Sequence, residues 1–404
     1  MFIHRLARAL VREGAEVKVV APGGSRDPRS ATLEGVHIDR FRYRLPVGTG
    51  LAEDPAGIVP TLRARPWLGL QLPGLVAALT FAAVRASSDA DLLHAHWLYP
   101  AGLAGLVASR IRRLPLVVTA HGTDLRLASH HVAARWMTRV VAARAGLVLG
   151  VSRALCQELR ALGAPQDRVR FAPLGVEVRS QGQSVPSEAP ETRASSSAVL
   201  SAFARGPGVK VVFVGRLVPS KSVQTLVEAC SILVAGGHAV TLGVVGAGPE
   251  ERGLRRLALD AGLPCVHFAG RTAPRDVDSW LRAAEVFVLP SLEEGRGVVL
   301  LEAMAAGLPV VASDVPGPRE LVEPGRTGSV FEAGSARSLA AALEPLIVDA
   351  KLRQRLGTAG RAMLRDRGLT SRASARRHVE LYRQLLAQRR VACGPDDGEA
   401  GERP

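Results

Sequence analysis

From Glu16 onward, short aliphatic and β-branched runs alternate with longer segments whose apolar positions recur at helical spacing, which predicts βα units around parallel sheets and an α/β fold class. In the first half the pattern predicts strands at Glu16–Ala21, Val36–Arg42, Asp91–Ala95, Leu116–Ala120, Gly146–Val151 and Val169–Pro173. A second series predicts Val209–Val214, Ala239–Val245, Val266–Phe268, Val286–Leu289, Val310–Ala312 and Ser329–Phe331, with helices such as Lys221–Val234, Pro249–Ala261 and Arg337–Ile347 between them. Each half reads as its own doubly wound sheet. The opening is unusual: Phe2, Ile3, Leu6, Leu10 and Val11 mark the apolar face of a helix, where such a domain normally begins with a strand and a Gly-rich turn. The first strand and its loop are therefore expected to be absent from the N-terminal domain.

Between the two series, Arg179–Gly208 is rich in Ser, Pro, Ala and Gly and shows neither period, which predicts a flexible linker. The resulting division is a domain over 1–178, the linker over 179–208, a second domain over 209–368, a final helix over 369–390 and a disordered tail over 391–404. A length of 404 residues agrees with two or three domains, and 47% hydrophobic with 22% charged residues excludes a mostly disordered chain.

The formal charge of +15 changes the picture, because it calls for an anionic partner: nucleic acid, an acidic membrane surface or a phosphate-bearing substrate. Lys occurs only at Lys18, Lys210, Lys221 and Lys351, so the excess is Arg, which Arg-rich codon usage explains equally well. With 4% aromatic residues and no Arg/aromatic interleaving, no nucleic-acid partner is expected. Cys156, Cys230, Cys265 and Cys393 show neither metal-ligand nor redox spacing and read as free thiols in a reducing compartment. Met1–Gly14 lacks the apolar core of an export signal, and Leu68–Val84, interrupted by Gln71 and Pro73, is shorter than the roughly 20 residues of a spanning helix. A cytoplasmic protein is expected.

The densest chemistry lies in Pro290–Ala312, which runs strand end, acidic glycine loop, helix, strand. Glu294 falls at the carboxyl end of a strand, where open α/β sheets bind ligands, and Gly295 and Gly297 allow close approach of a substrate to backbone. Glu302, eight residues on, is a carboxylate able to accept paired hydrogen bonds from vicinal hydroxyls of a ribose or sugar. Taken alone, the two read better as a helix-start Glu and a solvated Glu than as a site. Phe213–Lys221 places Arg216 and Lys221 after a strand and Gly215, leading into a helix whose N-terminus is partially positive, an arrangement suited to a pyrophosphate. Val244–Glu250 carries Gly246 and Gly248 but lacks the full dinucleotide fingerprint. His94 and His96 alternate along one strand and His121 follows another, without an evident third ligand for a metal.

The Glu294–Glu302 block resembles the E-x7-E segment of the retaining GT-B glycosyltransferases of family four, the group 1 type. Phe213–Lys221 resembles that family's diphosphate-holding strand and loop, and Val118–Asp124 its His-Gly-x-Asp motif. The resemblance covers Phe2 to about Leu386 and implies two doubly wound, Rossmann-like domains facing a cleft. The N-terminal domain would then lie on the acceptor side, the C-terminal domain would bind the nucleotide sugar, and the final helix would cross back onto the first domain. It also implies sugar transfer with retention from a UDP-sugar or GDP-sugar donor to a lipid-linked or saccharide hydroxyl, without cofactor or metal. Arg216, Lys221, Glu294 and His121 would be catalytic, and Gly215, Gly246, Gly248, Gly295, Gly297, Val298 and Glu302 would join Arg216, Lys221 and Glu294 in holding donor.

Three departures bear on that expectation: Ser222 stands where the family usually has Gly, Arg296 replaces an aromatic residue, and Pro316 replaces a glycine. The opening helix leaves two explanations, a start placed too late or a truncated product. The segment His94–Pro100 resembles cell-surface polysaccharide transferases, and the Arg-rich surface suits peripheral work on the inner face of the membrane, at an anionic lipid surface. Two rival functions remain at this level: a non-catalytic nucleotide-binding or partner protein of the same fold, and a sugar-nucleotide epimerase, for which no acid/base pair is evident.

Overall fold

The structure is a computed structural model that describes residues 2–24, 27–43, 51, 58, 61–62, 65–178 and 193–393. The chain forms two compact units. The N-terminal unit takes Leu6–Glu53, Trp67–Pro173 and Arg372–Pro404; the C-terminal unit takes Met1–Arg5, Asp54–Pro66 and Leu174–Ser371.

The chain opens in helix α1 (Phe2–Arg12), whose Leu6 and Leu10 are buried as the apolar spacing requires. Strands β1 (Lys18–Pro22), β2 (Ser30–Leu33) and β3 (Val36–Phe41) form a sheet in the order β1-β3-β2. β1 and β3 run parallel, whereas β2 is antiparallel to β3 and was not legible as a strand, because three of its four residues are exposed and carry no alternation. After a 3₁₀ turn at Pro66–Gln71 comes α2 (Leu72–Ala86), then β4 (Leu93–His96), α3 (Ala101–Arg112), β5 (Leu116–Ala120), α4 (Thr123–His130) and α5 (Val132–Arg144). The unit continues with β6 (Leu147–Gly150), α6 (Arg153–Ala161) and β7 (Val169–Phe171). β4, β5, β6 and β7 pair in that order, all parallel. The single doubly wound sheet expected of this half is thus two sheets among the described residues, because no described strand pairs β1 with β4.

Residues expected to lie in a flexible linker begin a helix instead, α7 (Arg193–Arg205). The Ser-rich start hides its period, and Phe203, fully buried 5.1 Å from the Trp280 ring, anchors its end. The C-terminal unit then runs β8 (Val209–Val214), α8 (Val223–Ala235), β9 (Val240–Val245), α9 (Glu251–Asp260), β10 (Val266–Gly270), α10 (Pro274–Ala283), β11 (Val286–Leu289), α11 (Val298–Ala306), β12 (Val310–Ser313) and β13 (Gly328–Phe331). Helices α12 (Ala336–Val348), α13 (Ala350–Asp366) and α14 (Ser371–Cys393) follow. The sheet order β10-β9-β8-β11-β12-β13 is all parallel and reverses direction between β8 and β11. Its apolar runs are continuous because helices cover both faces: Val211, Val212, Phe213, Phe287, Val288 and Leu289 are fully buried.

From Arg372 onward, α14 belongs with the N-terminal unit. Leu381 and Leu385 pack on Val117, Leu147 and Leu149, and a Cβ on Gly146 would lie 2.9 Å from Leu385. The Ser374 hydroxyl donates to the Pro173 carbonyl at 2.9 Å, and Arg372 and Arg376 both pair with Glu13. The helix runs through Cys393, past the expected start of the disordered tail at 391; residues 394–404 lie outside the described residues.

Candidate active site

In the C-terminal unit the site assembles at the carboxyl ends of β8 and β11, where the strand order reverses and an open α/β sheet leaves a ligand crevice. β8 ends into Gly215 and exposed Arg216, then a 3₁₀ turn, Pro219–Lys221, hands the chain to α8. Ser222, at the junction, sits in the left-handed region with φ +46°, a conformation glycine adopts more cheaply. Its buried hydroxyl hydrogen-bonds to that of Thr225 at 2.9 Å. β11 ends into Pro290–Gly297, and α11 starts where Gly297 takes φ +76°. The Leu292 N–H donates to the Ser220 carbonyl at 3.0 Å, which ties the two loops together. Across the switch point, the Lys221 ammonium and the Glu294 carboxylate form an ion pair with both side chains mostly buried.

Close backbone approaches fix this arrangement. A Cβ on Gly317 would lie 2.3 Å from the Glu294 carbonyl, so the helical turn Pro316–Arg319 presses onto the acidic loop. Cβ atoms on Gly246 and Gly248 would meet the Gly215 and Leu217 carbonyls at 1.7 and 2.1 Å. The Gly215 N–H donates to the Val245 carbonyl at 2.9 Å and that of Gly246 to Gly270 at 3.0 Å, so both amides are committed to the scaffold. Arg296, 4% exposed, turns inward and lies 3.5 Å from Glu320. Glu302, on α11, pairs with Arg5 of the same unit. Gly295 lies in the acidic loop, and Val298 opens α11 at its partially positive end.

In the N-terminal unit, the strand ends of β4 and β5 bring together His94, His96 and His121, and α14 adds His378 and Tyr382. His94 Nδ1 shares a 2.6 Å hydrogen bond with the Tyr382 hydroxyl, and its Nε2 one of 2.7 Å with Thr119. The His94 and His96 rings stack at 4.5 Å, and His96 Nδ1 lies 3.0 Å from His121 Nε2. Burial disfavours the imidazolium throughout: it pushes His96 down to about 3 and His378 to about 4, and it lowers His94 and His121 as well, helped by the neighbouring rings. His121 is therefore a neutral imidazole at pH 7, able to donate or accept one hydrogen bond but not to supply a fixed positive charge.

Two neighbours of His121 escaped the sequence reading. Asp124, buried, accepts from the backbone N–H groups of Gly122 at 2.9 Å, Leu98 at 3.1 Å, and His121 and Leu125 at 3.2 Å each. It holds the glycine turn on which His121 sits; its place in the His-Gly-x-Asp motif was the available signal. Trp97, in the left-handed region at φ +69°, sets its ring 4.8 Å from His121, and nothing in composition or period marks it. Of the acidic residues flanking Ala90 and Val277, Asp89 pairs with Lys18 and Asp278 with Arg282. Among the described residues, no three His, Cys, Asp or Glu side chains gather as metal ligands.

Two Rossmann-like α/β units, one doubly wound around a cation–carboxylate switch point, define the GT-B class of glycosyltransferase. The family described as glycosyl transferases group 1 matches residues 203–363, and the one described as glycosyltransferase family 4 matches residues 1–180. A D-inositol 3-phosphate glycosyltransferase of Xylanimonas cellulosilytica is 30% identical over 96% of this chain and 92% of its own. WcaL of Salmonella typhimurium, named as a candidate colanic acid biosynthesis glycosyltransferase, is 28% identical over 85% and 86%. The solved structure of Anabaena HepE in complex with UDP and glucose superposes with a TM-score of 0.65 at 23% identity, over 86% of each chain. The chain belongs to the group 1 glycosyltransferases.

Proposed function

We propose that the protein moves a sugar from a UDP-sugar or GDP-sugar to a hydroxyl of a lipid-linked or saccharide acceptor, with retention and without a metal, in the synthesis of a cell-surface polysaccharide or glycolipid. The observation that carries this reading is the Lys221–Glu294 pair across the β8/β11 switch point, beside Arg216. In the reaction the bond between the anomeric carbon and the phosphate oxygen breaks, and the diphosphate departs with the electron pair. Arg216 and Lys221 stabilise the charge that develops there, where preorganised cations act most strongly. Glu294 orients sugar hydroxyls and holds the Lys221 ammonium in place; Glu302 accepts from the ribose hydroxyls, exchanging its Arg5 partner for them. His121, neutral, donates to a sugar hydroxyl, and the acceptor hydroxyl passes its proton to the departing diphosphate oxygen as the new bond to the anomeric carbon forms.

The UDP and glucose of the HepE complex support a uridine nucleotide, and the colanic acid assignment of WcaL supports an exopolysaccharide pathway. Work at the cytoplasmic face of a membrane fits both. Thermal unfolding against UDP, GDP, their sugar conjugates and NAD tests the donor site. One nucleoside diphosphate should stabilise the chain by about 2.7 kcal/mol at a hundredfold excess over its dissociation constant, and Arg216→Ala or Lys221→Ala should remove the shift. A folded sample that responds to none of these ligands would refute the donor site.

A further inference from the structure

We infer that Arg296 and Glu320 act as a positioning pair: the buried guanidinium, drawn to the Glu320 carboxylate, pins the acidic loop against the turn Pro316–Arg319 and so fixes where Glu294 meets Lys221 and the donor. Both residues act through Glu294 rather than on the ligand, a role that rests on the donor site proposed above and deepens it.

Arg296 is a departure from the family pattern that the proposed reaction leaves unused. An aromatic side chain at that position needs only apolar neighbours, whereas a guanidinium withdrawn from water needs an anion. Glu320 supplies one at 3.5 Å, with the Arg296 side chain 4% exposed and that of Glu320 20%. The neighbouring cations have anions of their own, Arg319 in Asp314 and Arg367 in Glu323. So deeply buried, the Arg296 side chain offers little surface to a ligand, and what it can do is hold the loop.

Glu320 is itself firmly placed. It closes the turn Pro316–Arg319, and the residues after it, Leu321 and Val322, are buried in the core of the C-terminal unit. The Leu321 and Val322 N–H groups both donate to the Pro318 carbonyl, at 2.8 and 2.9 Å. At the base of the loop the Ser313 hydroxyl donates to the Ser291 carbonyl, and farther along Gly317 admits the backbone of Glu294–Arg296. The ion pair completes this series of contacts. Glu294 lies two residues before Arg296, and a Cβ on Gly297 would lie 3.5 Å from the Glu294 Cγ, so a shift of Arg296 carries the carboxylate that faces Lys221. Removing one partner leaves a charge without its counter-charge in a buried place, a cost relieved by turning outward and taking the loop along.

Calorimetric titration of the full chain with UDP, GDP, UDP-glucose and GDP-mannose tests the pair. Arg296→Met removes the charge and keeps an unbranched side chain; it and Glu320→Gln should each weaken binding of whichever nucleotide the parent takes by about tenfold. The double variant should bind about as weakly as either single one, rather than about a hundredfold below the parent, since both substitutions remove one interaction. Arg296→Lys, which keeps a positive charge, should bind within about threefold of the parent. A side chain that merely filled space would be replaced better by Met than by Lys. Urea unfolding of each variant separates lost binding from lost fold, and the double variant, which leaves neither charge of the pair unmatched, provides a folded sample. Parent-like affinity in Arg296→Met or Glu320→Gln, no recovery with Lys, or losses that multiply in the double variant would overturn the pair. A parent that binds none of the four nucleotides would overturn the donor reading and the pair with it, whereas a binding parent matched by its variants would overturn the pair alone.

Discussion

Asp124 shows how much a single side chain organises. Its carboxylate takes four backbone N–H groups around the turn that carries His121, and burial raises its pKa while those hydrogen bonds oppose the rise. Removing it leaves several buried donors without an acceptor, at about 1–3 kcal/mol for each one that water does not reach. Asp124→Ala should therefore lower the stability of the N-terminal unit by at least about 2 kcal/mol in denaturant unfolding, and Asp124→Asn, which keeps an acceptor oxygen, should cost less. A change within about 0.5 kcal/mol for the alanine variant would show the turn to be held by its other contacts. At this scale the sequence was readable where residue type and position in an element coincide: Lys221 and Glu294 were named from their loops, and the structure pairs them. It was silent where a partner comes from far along the chain, as Tyr382 does for His94 or Glu320 for Arg296.

Among elements, the acidic loop depends on neighbours that have no side chain. Gly317 lets the turn Pro316–Arg319 approach the backbone of Glu294–Arg296, and any Cβ there would have to displace a carbonyl oxygen. Gly317→Ala should move Glu294 away from Lys221 and weaken nucleoside diphosphate binding by about tenfold, while the core of the unit, formed by other residues, keeps its far-UV signal. Calorimetric titration of the variant decides the point: unaltered affinity would mean that the loop position does not set the donor site. Buried parallel strands, such as β8 and β11, were legible because a sheet covered on both faces writes continuous apolar runs. β2 and α7 were not, since an exposed edge strand needs no alternation and a helix started by consecutive serines carries its signal only in Val199, Leu200 and Phe203.

For the whole molecule, the histidine cluster sets where acid should act. The folded chain keeps His378, 0% exposed, neutral down to about pH 4, whereas the unfolded chain takes up a proton near its ordinary 6.5. Stability is therefore full above about pH 6.5 and declines as pH falls from there toward the folded value, by about 1.4 kcal/mol per unit for each such group. His94 and His96 add to the same slope, because burial and the neighbouring rings disfavour the proton on both, and the Tyr382 and Thr119 hydroxyls that face His94 offer it no negative charge. Carboxylates elsewhere also lose pairing in acid, so the informative quantity is the difference between parent and variant. His378→Leu, which removes one titrating group while α14 keeps Leu381 and Leu385 on the sheet, should reduce the stability lost between pH 7.5 and pH 5 by about 2 kcal/mol. Urea unfolding at the two pH values reads this directly, and because the quantity is a difference of slopes, any pH-independent packing cost of the substitution cancels. An unchanged loss would mean that His378 takes up its proton in the folded state, and that the burial of this cluster, which follows from the docking of α14, does not keep it neutral.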